Sequence, residues 1–107
     1  MHETVISRKI IEDAKLYGQV KAIWVAVGEL AHIPAHELAP TLREMAAPWR
    51  VEIAEPPAKV KCPCGFEGHP RILERGHDMC VYVCPTCERV PAVVEGDQIK
   101  ITRVEVR

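Results

Sequence analysis

Apolar and polar positions recur along this chain with two periods, and those periods locate its elements. Between Thr4 and Tyr17, Ile6, Ile10, Ala14 and Tyr17 fall at steps of three and four. That spacing predicts a helix with one apolar stripe, with Arg8, Lys9, Glu12, Asp13 and Lys15 mostly off it. Gly18 is a suitable stop, since the residue after a helix often adopts a left-handed conformation. From Val20 to Val27 the period changes to two: Ile23, Val25 and Val27 share one face of a predicted strand. Ala22, Trp24 and Ala26 share the other, so that face is covered by a partner chain, by another part of this chain, or by Trp24 lying flat on its neighbours.

A second helix is predicted over Pro34 to Ala47, with Leu38, Leu42 and Met45 inward. Pro34 suits its first turn. Pro40 implies a kink or a late start, and Pro48 blocks extension. Trp49, Val51 and Ile53 alternate with Arg50 and Glu52 as a second strand, and Glu55-Pro56-Pro57 reads as an edge or linker. Gly96-Asp97 is a turn signal. In the strand after it, Ile99 and Ile101 hold one phase and Val104 and Val106 the other, which predicts a bulge near Thr102-Arg103. The order of elements predicts an α+β fold: two helices packed on a three-stranded sheet, interrupted by a cysteine-bearing insertion. A core this small would gain from a metal bound in the insertion.

Composition narrows the function. The chain has 107 residues, 48% apolar and 27% charged, as in an ordinary globular protein. It lacks the run of about 18 apolar residues that a membrane helix needs. Its polar start, Met1-His2-Glu3-Thr4, does not read as a signal peptide, so a cytoplasmic protein is expected. Fourteen basic residues against 15 acidic ones give a formal net charge of −1. That balance disfavours whole-chain attraction to nucleic acid. No phosphate loop, nucleophile elbow or paired-carboxylate site is present, so no covalent catalysis is expected.

The five cysteines carry the clearest chemistry. Cys62-Pro63-Cys64-Gly65 and Cys84-Pro85-Thr86-Cys87 are two close pairs separated by a hairpin-sized stretch. Such pairs suit four-thiolate coordination of a structural zinc ion, and Gly65 can take the positive φ that a knuckle turn demands. Cys80 lies on the strand-like run Met79 to Val83 and shares a face with Tyr82. It reads as a buried apolar side chain; the alternative is that it replaces Cys62 as fourth ligand. His69 and His77 are also within chain reach of the cluster. At the other end, the amine of Met1, the backbone nitrogen of His2 and its imidazole can chelate one ion in fused rings. Deprotonated amides and imidazole favour square-planar Ni(II) or Cu(II), and Glu3 can add its nitrogen or carboxylate.

Taken together, these pieces resemble the HypA family of nickel-insertion accessory proteins for nickel–iron hydrogenase maturation. Met1-His2-Glu3 resembles the family's amino-terminal nickel motif, and Val25-Ala26-Val27-Gly28-Glu29-Leu30 its strand ending in Gly-Glu-Leu. Val60 to Gly65 and Cys84 to Cys87 resemble its zinc knuckles, and Ile99 to Val106 its closing strand. The resemblance implies a nickel-binding domain over residues 1–57 and 97–107 and an inserted zinc-ribbon-like domain over residues 58–96. It implies Met1, His2 and Glu3 as ligands of transient Ni(II), and Cys62, Cys64, Cys84 and Cys87 as ligands of structural Zn(II). It further implies a nickel metallochaperone that works with a nucleotide-hydrolysing HypB-type partner, hands nickel to the hydrogenase large subunit, and in some members serves urease. A homodimer is compatible with the open sheet face. The first knuckle departs from the family, with one residue between its cysteines where two are usual. Glu88 also stands where a knuckle often has glycine. Two other readings remain: a zinc-ribbon module that binds protein or nucleic acid without nickel, and a thiol redox protein using Cys80.

Overall fold

A computed structural model describes residues 2–76 and 79–107. Helix α1 (His2–Lys15) leads into strand β1 (Val20–Val27), then helix α2 (Ala35–Ala46) and strand β2 (Arg50–Ala54). Five short strands follow: β3 (Lys59–Lys61), β4 (Glu67–Gly68), β5 (Arg71–Gly76), β6 (Met79–Val83) and β7 (Ala92–Glu95). Strand β8 (Ile99–Val106) closes the chain.

The main sheet has the order β2-β1-β8, with β1 parallel to β2 and antiparallel to β8. Its core face carries Ile23, Val25 and Val27, as the period-two alternation predicts. Against them pack Ile10 and Ala14 of α1, Leu38, Leu42 and Ala46 of α2, and Val51 of β2. The predicted two-helix, three-stranded layer is therefore present.

The bulge falls where the phase change places it. Trp24 pairs with Arg103 and Val25 with Ile101, leaving Thr102 without a partner on β1. The extra residue turns Val104 back to the core beside Ile99 and Ile101. Thr102 Oγ1 donates to the Trp24 carbonyl at 3.2 Å, tying the bulge to β1.

Several local readings need correction. Helix α1 runs from His2 to Lys15, so it begins two residues before Thr4 and ends two residues before Tyr17, the ends of the predicted span. Tyr17 lies in the turn beyond it, 68% exposed, so it does not extend the stripe. In α2, Met45 is exposed and Ala46 faces the core, because Leu38, Leu42 and Ala46 recur at four-residue steps along the buried side. Pro34 is the N-cap, and α2 runs through Pro40 from a start at Ala35, so the proline does not delay it. The packed face carries the cost of the missing amide. On the open sheet face the Arg103 guanidinium lies 4.6 Å above the Trp24 ring centroid, so this chain itself covers part of that indole.

The chain between β2 and β8 builds two smaller layers, a sheet ordered β4-β3-β7 and a β5-β6 ribbon. Their common core is Ala58 and Val60, packed with Phe66, Ile72, Cys80, Tyr82 and Val93. Leu30, which follows β1, is buried in this second cluster. Backbone bonds hold the crossing: Leu30 N donates to Gly96 O at 2.7 Å, Gly28 N to Gln98 O at 2.9 Å and Glu29 N to Pro56 O at 3.2 Å. The approach is so close that a Cβ on Gly28 would sit 2.3 Å from the Gly96 oxygen.

Candidate metal centre

Two turns present the cysteines, and both are built alike. Cys62 follows β3; its N–H donates to Phe66 O at 2.8 Å, and its carbonyl accepts from Gly65 N at 2.9 Å. Cys84 follows β6; its N–H donates to Arg89 O at 2.7 Å, and its carbonyl accepts from Glu88 N at 2.9 Å. In each turn the residue after the second cysteine has positive φ: Gly65 at 104° and Glu88 at 62°. Glu88 thus does the conformational work that glycine does in the first knuckle, and the first loop closes one residue shorter.

The four sulfurs of Cys62, Cys64, Cys84 and Cys87 all lie within 4.8 Å of one another. Cys62 Sγ is 3.4 Å from Cys87 Sγ, and Cys64 Sγ is 3.7 Å from Cys84 Sγ. Four thiolates about 2.3 Å from a tetrahedral zinc ion would stand about 3.8 Å apart, so the donor set fits such an ion with little movement. The Thr86 N–H points at Cys84 Sγ from 3.4 Å, a contact that stabilises a thiolate. Cys62 and Cys84 are buried, Cys87 half-buried and Cys64 exposed.

The Cys62 and Cys84 thiols are shifted in opposite directions. At Cys84, burial pushes the thiol up, but the Cys87 and Thr86 amides and the Cys64 and Cys87 thiols together pull it down to about 6. At Cys62 the Cys64 amide pulls down, but burial and bonds from Cys87, Cys64 and Cys84 push the thiol up to about 12. Four sulfurs packed this closely cannot all ionise without a cation among them, and a divalent ion supplies that charge.

Cys80 lies outside this group. It is half-buried on β6 and packs against the second cluster. Burial raises its thiol, Glu29 raises it further, and Arg75 only partly opposes them. That is the opposite of the activated thiolate a redox role needs. His69 is also elsewhere: its Nε2 pairs with Glu29 Oε1 at 2.6 Å. His77 and Met1 lie outside the described residues. His2 and Glu3 form the first turn of α1, so helical structure reaches closer to the terminus than the apolar periodicity predicts.

Two carboxylates missed by sequence reasoning join the halves of the molecule. Glu29 Oε1 accepts from Ala58 N at 3.1 Å as well as pairing with His69. Glu55 accepts from Arg75 at 2.6 Å and from Ala35 N at 3.2 Å. The Arg75 guanidinium holds the Glu55 carboxyl below its usual range, against a smaller upward push from burial. The available signal was the Gly28-Glu29-Leu30 segment, whose charged middle residue had no assigned task.

A family model described as hydrogenase/urease nickel incorporation, metallochaperone, HypA matches residues 1–106. The chain belongs to the HypA family. A hydrogenase maturation factor HypA from Azotobacter chroococcum mcd 1 is 30% identical, and the alignment covers 99% of each chain. The solution structure of the Ni metallochaperone HypA from Helicobacter pylori matches with a TM-score of 0.64 at 14% identity. It covers 97% of this chain and 96% of that one. A second HypA solution structure matches with a TM-score of 0.53 at 16% identity, covering 100% of this chain and 93% of the other. These structural likenesses establish a shared fold. Among the described residues, no helix is long and apolar enough to cross a membrane.

Proposed function

We propose that this HypA-family chain binds Ni(II) at its amino terminus, carries it, and releases it during hydrogenase maturation, without catalysing a covalent reaction. The observation that carries this reading is the family match across nearly the whole chain, from the Met1-His2-Glu3 start onward. With Met1 as the free first residue, its amine, the His2 amide and imidazole, and Glu3 would chelate the ion. Nickel is cargo here, and an accessible terminal site suits exchange with an acceptor. Imidazole must be neutral and amides deprotonated, so nickel affinity falls as pH drops.

Residues 58–96 act as a zinc-binding insertion in the unit made by residues 1–57 and 97–107. Cys62, Cys64, Cys84 and Cys87 would hold Zn(II), which there supplies cross-linking charge rather than reactivity, because four sulfurs leave no open position. The two turns, the exposed Cys64 and the neighbouring strands then form a fixed surface. The partners are a HypB-type nucleotide-hydrolysing protein and the hydrogenase large subunit, met in the cytoplasm; a homodimer through the open sheet face is compatible with this.

X-ray absorption on the protein loaded with one equivalent each of zinc and nickel tests the assignment. The expected result is a nickel shell of nitrogen and oxygen ligands including imidazole, and a zinc shell of four sulfurs. Sulfur in the nickel shell would place the cargo in the cysteine cluster instead. A zinc-ribbon module without nickel function predicts zinc alone.

A further inference from the structure

We propose that the cleft between the end of α1 and the starts of β1 and β2 is a docking site for an acidic segment of a partner protein. The cleft encloses about 590 Å³. Lys15, Lys21 and Arg107 line it together with Val20, Pro48 and Trp49, and among the described residues no acidic side chain does. That lining departs sharply from a chain with 14 basic and 15 acidic residues. Lys21 is held loosely by Glu105 at 3.5 Å, and all three cations are exposed. Trp49 is half-buried, anchored on the main core, with the rest of its indole facing the cleft. An apolar floor with a partly exposed tryptophan and a cationic rim is the make-up of an interface centre and its edge.

The backbone decides between a compact anion and a peptide. A phosphate cradle needs free N–H groups aimed at the ligand. Here three of the lining amides are already used: Gly18 N donates to Lys15 O at 3.2 Å, Trp49 N to Ala46 O at 2.9 Å and Arg107 N to Gln19 O at 2.9 Å. The three cations stand on separate elements around an apolar floor. They suit carboxylates spaced along an extended chain, with an apolar residue between them resting on Trp49.

The location gives the site a use. Val20 opens β1 opposite Val106 of β8, whereas the other end of β1 leads through Gly28 into the cysteine-bearing half. His2 lies at the far end of α1 from Lys15. A partner docked here holds the molecule by one pole and leaves His2 and the cysteine turns uncovered at the other. This inference does not depend on where nickel binds, so the two can fail separately.

The test is fluorescence anisotropy with a labelled peptide of alternating glutamate and leucine, titrated with zinc-loaded protein at low and at physiological salt. Trp24→Phe leaves Trp49 as the remaining tryptophan of the two and reports on the cleft directly. The expected result is saturable, salt-weakened binding that shifts Trp49 emission. The double variant Lys15→Gln/Arg107→Gln should weaken it by about tenfold, while Lys61→Gln near the cysteines leaves it unchanged. Inorganic phosphate at matched ionic strength should not displace the peptide. Absence of saturable binding, equal affinity in the double variant, an unmoved Trp49 signal, or displacement by phosphate would each overturn the proposal.

Discussion

Glu88 is held at φ 62°, a conformation that costs a non-glycine residue about 1 kcal/mol. Its carboxylate meets Arg71 at 3.0 Å, but both side chains are well exposed and such a pair contributes about 0–1 kcal/mol. Glu88→Gly should therefore leave stability unchanged or raise it by up to about 1 kcal/mol in chemical denaturation. A loss above that would mean the ion pair outweighs the strain. Gly96 presents the reverse case. An added Cβ would lie 2.6 Å from Ala58 Cα, at a residue whose φ is 99°. Gly96→Ala should cost about 2–4 kcal/mol, since backbone must move to admit it. The first knuckle was legible because Cys64-Gly65 spells out its turn. The second was only half legible, since Glu88 occupies a glycine's conformation without a glycine's freedom. Gly96 shows as a turn in sequence, but its contact with Ala58 is long-range and leaves no local pattern.

The elements built on a regular period were readable, and the reason is burial on one side. Strand β1, the stripe of α1 and strand β8 each turn one face to the main core, and their larger apolar residues recur at the period that keeps them on it. The same burial makes Leu42→Ala a severe change. Leu42 is fully buried between α2 and the sheet, and its truncation should cost about 2–5 kcal/mol, measured by the denaturation midpoint. Helix ends were read less well: Tyr17 and Met45 are apolar residues just off the buried side, and composition cannot separate them from core residues. The short strands β3, β4 and β7 carry too few residues for any period to show. The Glu55–Arg75 pair lies between elements that the sequence does not place together. With the Glu55 carboxyl held below its ordinary value of 4.5, the pair stabilises the protein above that value and its contribution is lost as pH falls through the lowered one. A Glu55→Gln variant should be less stable than the wild type at neutral pH and equally stable in acid. An equal difference at both would exclude the charge as its cause.

At the scale of the whole molecule, the proposed function joins a permanent sulfur-held ion to a mobile one at the chain start. The cluster geometry predicts that Cys62→Ser loses zinc and that Cys80→Ser keeps it, read by metal content after gel filtration. Chelation of the zinc should expose the amides of β3 and β7 to hydrogen exchange while those of β1 stay protected, since β1 has its own core. The four-cysteine set could be named in the sequence, but the convergence of Cys62 rather than Cys80 could not, because spacing alone gives no distance between turns 20 residues apart. The claim that governs function concerns nickel, and calorimetric titration of Ni(II) into untagged, zinc-loaded protein tests it most directly. A nickel site at the amino terminus should appear as one binding event that His2→Ala abolishes and that one residue added before Met1 also abolishes. Nickel binding with the same affinity in both variants would contradict it.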